Sequence, residues 1–149
     1  MTRIDDFLKT SRAFLLGSLA LVQPLAFADD GTLDVTLRNV RDASGVLRAG
    51  LYREPATFRK EEKALSVVQA PAAAGEVTLS FAGLPPGRYA IMAYHDENGD
   101  GQLNRRFGMF PTEGYGLSNN PRVSGPPAFE DSAFEVAGPA TAIAIDLRY

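Results

Sequence analysis

From Leu33 onward, apolar residues recur at every second position rather than at helical spacing. Leu33, Val35 and Leu37 alternate with Asp34, Thr36 and Arg38, which turns the apolar side chains to one face of a half-buried strand. Asp42-Ala-Ser-Gly45 is rich in turn formers, and Val46–Tyr52 reads as the returning strand of a hairpin. Thr57–Ala64 breaks the alternation. It is expected to form a short helix over a sheet edge, with Phe58 pinned inward and its charges on a solvated face. Alternation resumes in Glu76–Phe81, where Val77, Leu79 and Phe81 share a side. Leu84-Pro-Pro-Gly-Arg-Tyr89 then runs into the strand Ala90–Tyr94. That order predicts either a tyrosine corner, with Tyr89 bonding back to nearby backbone, or an ordinary Pro-Gly turn beside a core tyrosine. The chain ends with Ile143, Ile145 and Leu147 on one face, and Phe129, Phe134 and Val136 are assigned to a further strand before it.

About seven short strands are therefore expected, without a long amphipathic helix. The 14 glycines and 10 prolines supply the turns. This is the pattern of an all-β, antiparallel, Ig-like sandwich in which each sheet buries one face against the other. One long irregular loop, residues 96–127, interrupts it. No internal repeat of solenoid or propeller length is visible.

Residues 1–28 are built differently. Arg3, Lys9 and Arg12 make a basic start, Ala13–Val22 an apolar middle, and Ala26-Phe-Ala28 a small-residue cleavage pattern, as in a secretory signal. A membrane anchor and a buried helix are the alternatives, but the apolar run falls well short of the roughly 20 residues a membrane span needs. Cleavage after Ala28 leaves residues 29–149 as a single β-sandwich domain, exported to the periplasm or beyond, without a transmembrane segment. Losing three basic and two acidic residues takes the net charge from −3 to about −4. That mild acidity, with no basic stripe, argues against a nucleic-acid partner. The chain has no cysteine, so neither disulfides nor an acylated cysteine can hold the domain.

The densest chemistry lies in His95-Asp-Glu-Asn-Gly-Asp-Gly-Gln-Leu-Asn104. Asp96, Asn98, Asp100, the Gln102 carbonyl and Asn104 present oxygens at alternate positions around Gly101, as calcium loops do. The twelfth position of such a loop is Phe107 rather than a bidentate Glu, and a strand precedes it, so this is no helix-loop-helix hand. Two readings follow: a weak calcium site, with Glu97 or Glu113 folding in as the missing carboxylate, or a turn whose side chains cap local backbone. Beyond it, Phe107, Phe110, Glu113, Tyr115, Asn119 and Asn120 lie among turn residues. The aromatics either cover the end of the sandwich or form a recognition patch.

An enzyme has little to work with. His95 is the sole histidine, and Gly116-Leu-Ser-Asn-Asn120 departs from a nucleophile elbow at its last position. Asp96 and Glu113 are a carboxylate pair whose separation the sequence does not define. No phosphate-cradling or dinucleotide motif is present.

Leu84-Pro-Pro-Gly-Arg-Tyr-Ala90, His95–Gly101, Gly114-Tyr-Gly-Leu-Ser-Asn-Asn120 and Gly125-Pro-Pro-Ala-Phe129 together resemble the bacterial domain-of-unknown-function family 2141. The resemblance spans essentially the whole chain after residue 28. It implies an exported, transthyretin-like or prealbumin-like β-sandwich and no established activity, so no catalytic residue is carried over. The expectation is a non-enzymatic binding or accessory module for an unknown ligand or exported protein. A small hydrolase using His95 or loop carboxylates, and a carrier of an apolar small molecule, are the alternatives.

Overall fold

The computed structural model describes residues 30–149, so the segment read as an export signal lies outside the described residues. In chain order the strands are β1 (Gly31–Val40), β2 (Val46–Tyr52), β3 (Ser66–Pro71), β4 (Gly75–Leu84), β5 (Gly87–Asp96), β6 (Arg105–Arg106), β7 (Phe110–Pro111), β8 (Tyr115–Leu117), β9 (Phe134–Val136) and β10 (Ala140–Asp146). A 3-10 turn covers Glu61–Lys63, and one short helix, α1, covers Phe129–Ser132.

Two sheets face one another. The first has the order β10-β1-β4, and the second β3-β2-β5-β8 with β9 on the early part of β5. All pairings are antiparallel except β1 with β10, which run parallel. The period-two pattern explains the packing. Leu33, Val35 and Leu37 from β1, Leu79 and Phe81 from β4, and Ile145 from β10 meet Leu47, Ala49, Leu51, Tyr89, Ile91 and Ala93 of the second sheet in one core. Fully burying each large aliphatic chain contributes roughly 1.5–3 kcal/mol. The tyrosine corner forms: the Tyr89 hydroxyl donates to the Pro85 carbonyl at 2.7 Å.

Strand β5 is buried along almost its whole length on both faces, as its near-continuous apolar run Ala90–Tyr94 suggests. Its outer face carries a second core of Tyr52, Phe58, Ala90, Met92, Leu117 and Phe129. Phe58 is held edge-to-face between Tyr52 and Phe129, at 5.4 and 5.9 Å between ring centroids. Phe58 thus points inward as expected, although Thr57–Ala64 forms turns and a 3-10 segment rather than an α-helix.

Three other expectations are corrected. The segment after β1 is not a hairpin, because β1 and β2 belong to different sheets. The Asp42 carboxylate accepts the Ser44 amide at 2.8 Å, and this local turn serves a crossover between sheets as readily as a hairpin. Phe129 belongs to α1 rather than to a strand, where Asp131 accepts the Ala128 amide at 2.9 Å. The long connection is only partly irregular, since it contains the β6–β7 ribbon and the sheet strand β8. Among the described residues no helix is long and apolar enough to cross a membrane.

Candidate functional site

The oxygen-rich loop leaves the end of β5. Asp96 is buried, with 1% of its surface exposed, and its two oxygens accept the amides of Asp100 and Gly101 at 3.1 and 2.8 Å. The Asn98 side-chain oxygen also accepts the Asp100 amide. The Asp100 carboxylate accepts the Gln102 amide at 2.9 Å and the Asn104 side-chain amide at 2.9 Å. These donors hold the Asp100 carboxyl below the usual carboxylate range, chiefly through Asn104 and then Gln102. Asn98, Asp100 and Asn104 therefore converge on one another, with Asn98 donating to Asp100 at 3.2 Å and to Asn104 at 3.0 Å. Gln102 lies exposed at the rim.

Glu113 closes this loop from outside it. Its carboxylate is buried and bridges two backbone amides, Glu97 at 3.0 Å and Asn104 at 3.0 Å. Both of its oxygens are thus engaged by the loop's backbone. Among the described residues no group of three or more His, Cys, Asp and Glu is placed to hold a metal. Of the loop's own three carboxylates Glu97 is held by Arg41, which leaves Asp96 and Asp100, with Asn98, Asn104 and the Gln102 carbonyl as its neutral oxygens.

His95 faces the other way, into the interior, and is fully buried. Its Nε2 lies 2.6 Å from the Ser44 carbonyl and its Nδ1 2.8 Å from the Tyr149 hydroxyl. A carbonyl only accepts, so Nε2 carries the proton and Nδ1 accepts from Tyr149. The tyrosine oxygen in turn accepts the Arg41 amide at 2.9 Å. Arg41 stacks over the Tyr149 ring, 4.5 Å from its centroid, and grips both Glu97 oxygens at 2.6 Å. His95 is therefore a tie between the β1–β2 crossover, the end of β5 and Tyr149. Two glycines permit this closeness. A Cβ on Gly45 would collide with the Asp96 carbonyl, at a φ of 63° besides, and one on Gly114 would enter the Tyr149 ring.

Asn119 and Asn120 also fasten the fold. Both adopt left-handed φ, 66° and 46°, where asparagine is tolerated. Asn119 donates to the Ala133 carbonyl at 2.7 Å, and the Asn120 oxygen accepts the Asp146 amide at 2.8 Å. They staple the turn after β8 to α1 and β10.

The aromatics divide. Tyr115 is half-buried on β8, whereas Phe107 and Phe110 are 82% and 62% exposed. They stand on the β6–β7 ribbon and do not cover the sandwich. This ribbon, the Phe58–Lys60 segment and residues 125–127 line a trough together with Met92 and Leu117. One end is a cleft of about 650 Å³ that includes Leu103, Phe110 and Tyr115, and Phe107 is not part of its lining. The neighbouring cleft, about 620 Å³, mixes polar and apolar lining: it holds Arg48, Glu61, Glu62, Tyr52 and Tyr94, and shares Arg59, Met92, Leu103 and Arg105 with the first. Burial first, then Glu61, pushes both phenols up, Tyr52 to about 12 and Tyr94 further. The sequence marks Phe110 and Tyr115 of this lining, but not Phe58–Lys60, Met92 or Leu117, which come from separate segments.

A family model described as an uncharacterized protein conserved in bacteria, domain-of-unknown-function family 2141, matches residues 35–144, and the chain belongs to that family. No curated protein and no solved structure matches it.

Proposed function

We propose that this member of the bacterial family is an exported, non-enzymatic β-sandwich that binds a ligand or another exported protein along the 96–127 connection. One observation carries the reading. The polar groups best suited to chemistry, His95, Asp96 and Glu113, are buried and engaged in bonds that hold the fold. Meanwhile Phe107, Met109 and Phe110 of the same connection are 82%, 68% and 62% exposed. Large apolar side chains gathered on one ribbon suit recognition better than catalysis. The three-part order of residues 1–28 supports export.

Calcium enters this reading as a weak ligand of the loop. Asp96 and Asp100 would supply charge, and Asn98, Asn104 and the Gln102 carbonyl neutral oxygens. Two carboxylates, with Arg105 and Arg106 following, suit binding on the order of 10⁻⁴–10⁻³ M, as in extracellular modules.

Thermal unfolding with calcium against EDTA tests the metal. A site of about 10⁻⁴ M at roughly 10 mM calcium stabilises by about 2.7 kcal/mol, on the order of 10 °C. The shift is expected to vanish in Asp100→Ala, whose carboxylate is exposed. No shift in the parent protein removes calcium from the proposal. Turnover on ester, amide or glycoside substrates that disappears in His95→Asn or Asp96→Asn would overturn the non-enzymatic reading.

A further inference from the structure

We propose that the apolar end of the trough binds a small amphiphile carrying one anionic head group, a carboxylate, sulfonate or phosphate on a hydrocarbon body. The inference rests on the reading of the connection as a binding edge and names the ligand class for it. A cleft of about 650 Å³ falls within the usual range for small-molecule sites. Its apolar lining combines Met92, Leu117 and Phe58, only 9%, 7% and 6% exposed, with Met109 and Phe110 at 68% and 62%, so a single hydrocarbon chain would touch both the inner and the outer residues.

The charge is one-sided. Arg59, Lys60 and Arg105 line this cleft and no carboxylate does, although Arg59 and Arg105 also line the adjoining cleft, which holds Glu61 and Glu62. The whole chain is nevertheless net acidic, at −3. Neither arginine takes part in an ion pair among the described residues, whereas Arg48 in the adjoining cleft is matched by Glu61 at 2.5 Å. Arg59 also sits at a φ of 67°, a left-handed conformation that costs a non-glycine residue roughly 1–2 kcal/mol. It is held there beside Phe58, whose ring is pinned by Tyr52 and Phe129. Two arginines without an ion pair among the described residues, lining one cleft with Phe58, Met92, Phe110 and Leu117, are matched by an anionic head on an apolar body.

Calorimetric titration of the intact protein tests this, using sodium decanoate, decan-1-ol and decyltrimethylammonium as probes. Decanoate is expected to bind one-to-one, at least tenfold tighter than decanol, with no binding of the cation. The Arg59→Gln/Arg105→Gln variant should lose at least tenfold in decanoate affinity and leave decanol unchanged, with its unfolding curve confirming the fold. Met109→Ser/Phe110→Ser, changed at exposed positions, should weaken both decanoate and decanol. Equal affinity for decanoate and decanol, or decanoate binding unaffected by the arginine changes, overturns the proposal. So does binding only to anionic vesicles in a manner that depends on Phe107. If decanoate fails while decanol or decyltrimethylammonium protects the Leu103–Leu117 amides from hydrogen exchange, the ligand class falls and the binding edge stands. If none of the three probes protects them, both fall.

Discussion

Replacing Glu113 by glutamine probes whether the loop is held by backbone clamping or by metal coordination. The side chain is 6% exposed, and its two oxygens take the Glu97 and Asn104 amides, each at 3.0 Å. Glutamine keeps the shape and one acceptor, but turns an NH2 group toward the other amide. Hydrogen bonds to a charged group contribute about 1.5–3 kcal/mol, and a buried donor left without a partner costs about 1–3 kcal/mol. One bond is lost and the other loses its charge, so Glu113→Gln is expected to destabilise by about 2–4 kcal/mol. For a domain of this size that is roughly 8–14 °C. Urea unfolding gives the global value, and hydrogen exchange at the Glu97 and Asn104 amides gives the local one. Both amides should exchange at least tenfold faster, while any calcium-induced stabilisation persists. A loss under about 0.5 kcal/mol with unchanged exchange at both amides would refute the clamp. Calcium stabilisation abolished in this variant alone would make Glu113 a ligand instead.

Other substitutions separate the supports of the fold. Tyr89→Phe removes the donor to the Pro85 carbonyl and should cost about 1–2 kcal/mol in urea unfolding; no measurable loss would deny the corner a structural role. Gly114→Ala places a methyl group in the Tyr149 ring, so a loss of more than about 2 kcal/mol is expected, with Tyr149→Ala restoring part of it. Tyr52 should titrate late, near 12, against about 10 for a free phenol. Its folded-state pKa is raised, so its stabilisation is whole below about pH 10 and fades as pH rises towards 12. Phenolate absorbance should show Tyr52→Phe deleting a late-ionising group; deletion of one ionising near 10 would contradict the burial.

Much of the fold is written locally. Leu33, Val35 and Leu37 alternate because β1 has one wet face, and Ala90–Tyr94 does not because both faces of β5 are covered. The tyrosine corner was legible for the same reason, since Tyr89 reaches only four residues back. What was hidden depends on distant partners. Asp42–Gly45 looks like a hairpin turn because its local bonding does not record that β1 and β2 join different sheets. Strand β3 escaped notice because Val67 and Val68 are adjacent rather than alternating, on a short edge that ends in Pro71. Strand β8 is three residues long with a central glycine, too little pattern to read. In the site, Asp96, Asn98, Asp100 and Asn104 share one hydrogen-bonded loop with Gln102 at its rim, a spacing that calcium loops and capped turns have in common. Neither the clamping by Glu113 nor the burial of His95 has a local signature.

An amide chemical-shift map of the labelled protein titrated with decanoate tests the central claim most directly. Binding along the connection predicts shifts centred on Phe58–Lys60, Leu103–Phe110 and Leu117, with Ser44, His95 and Tyr149 unmoved. Shifts centred on Ser44, His95 and Tyr149 would contradict it, because they would place the ligand at a cluster assigned here to holding the fold together.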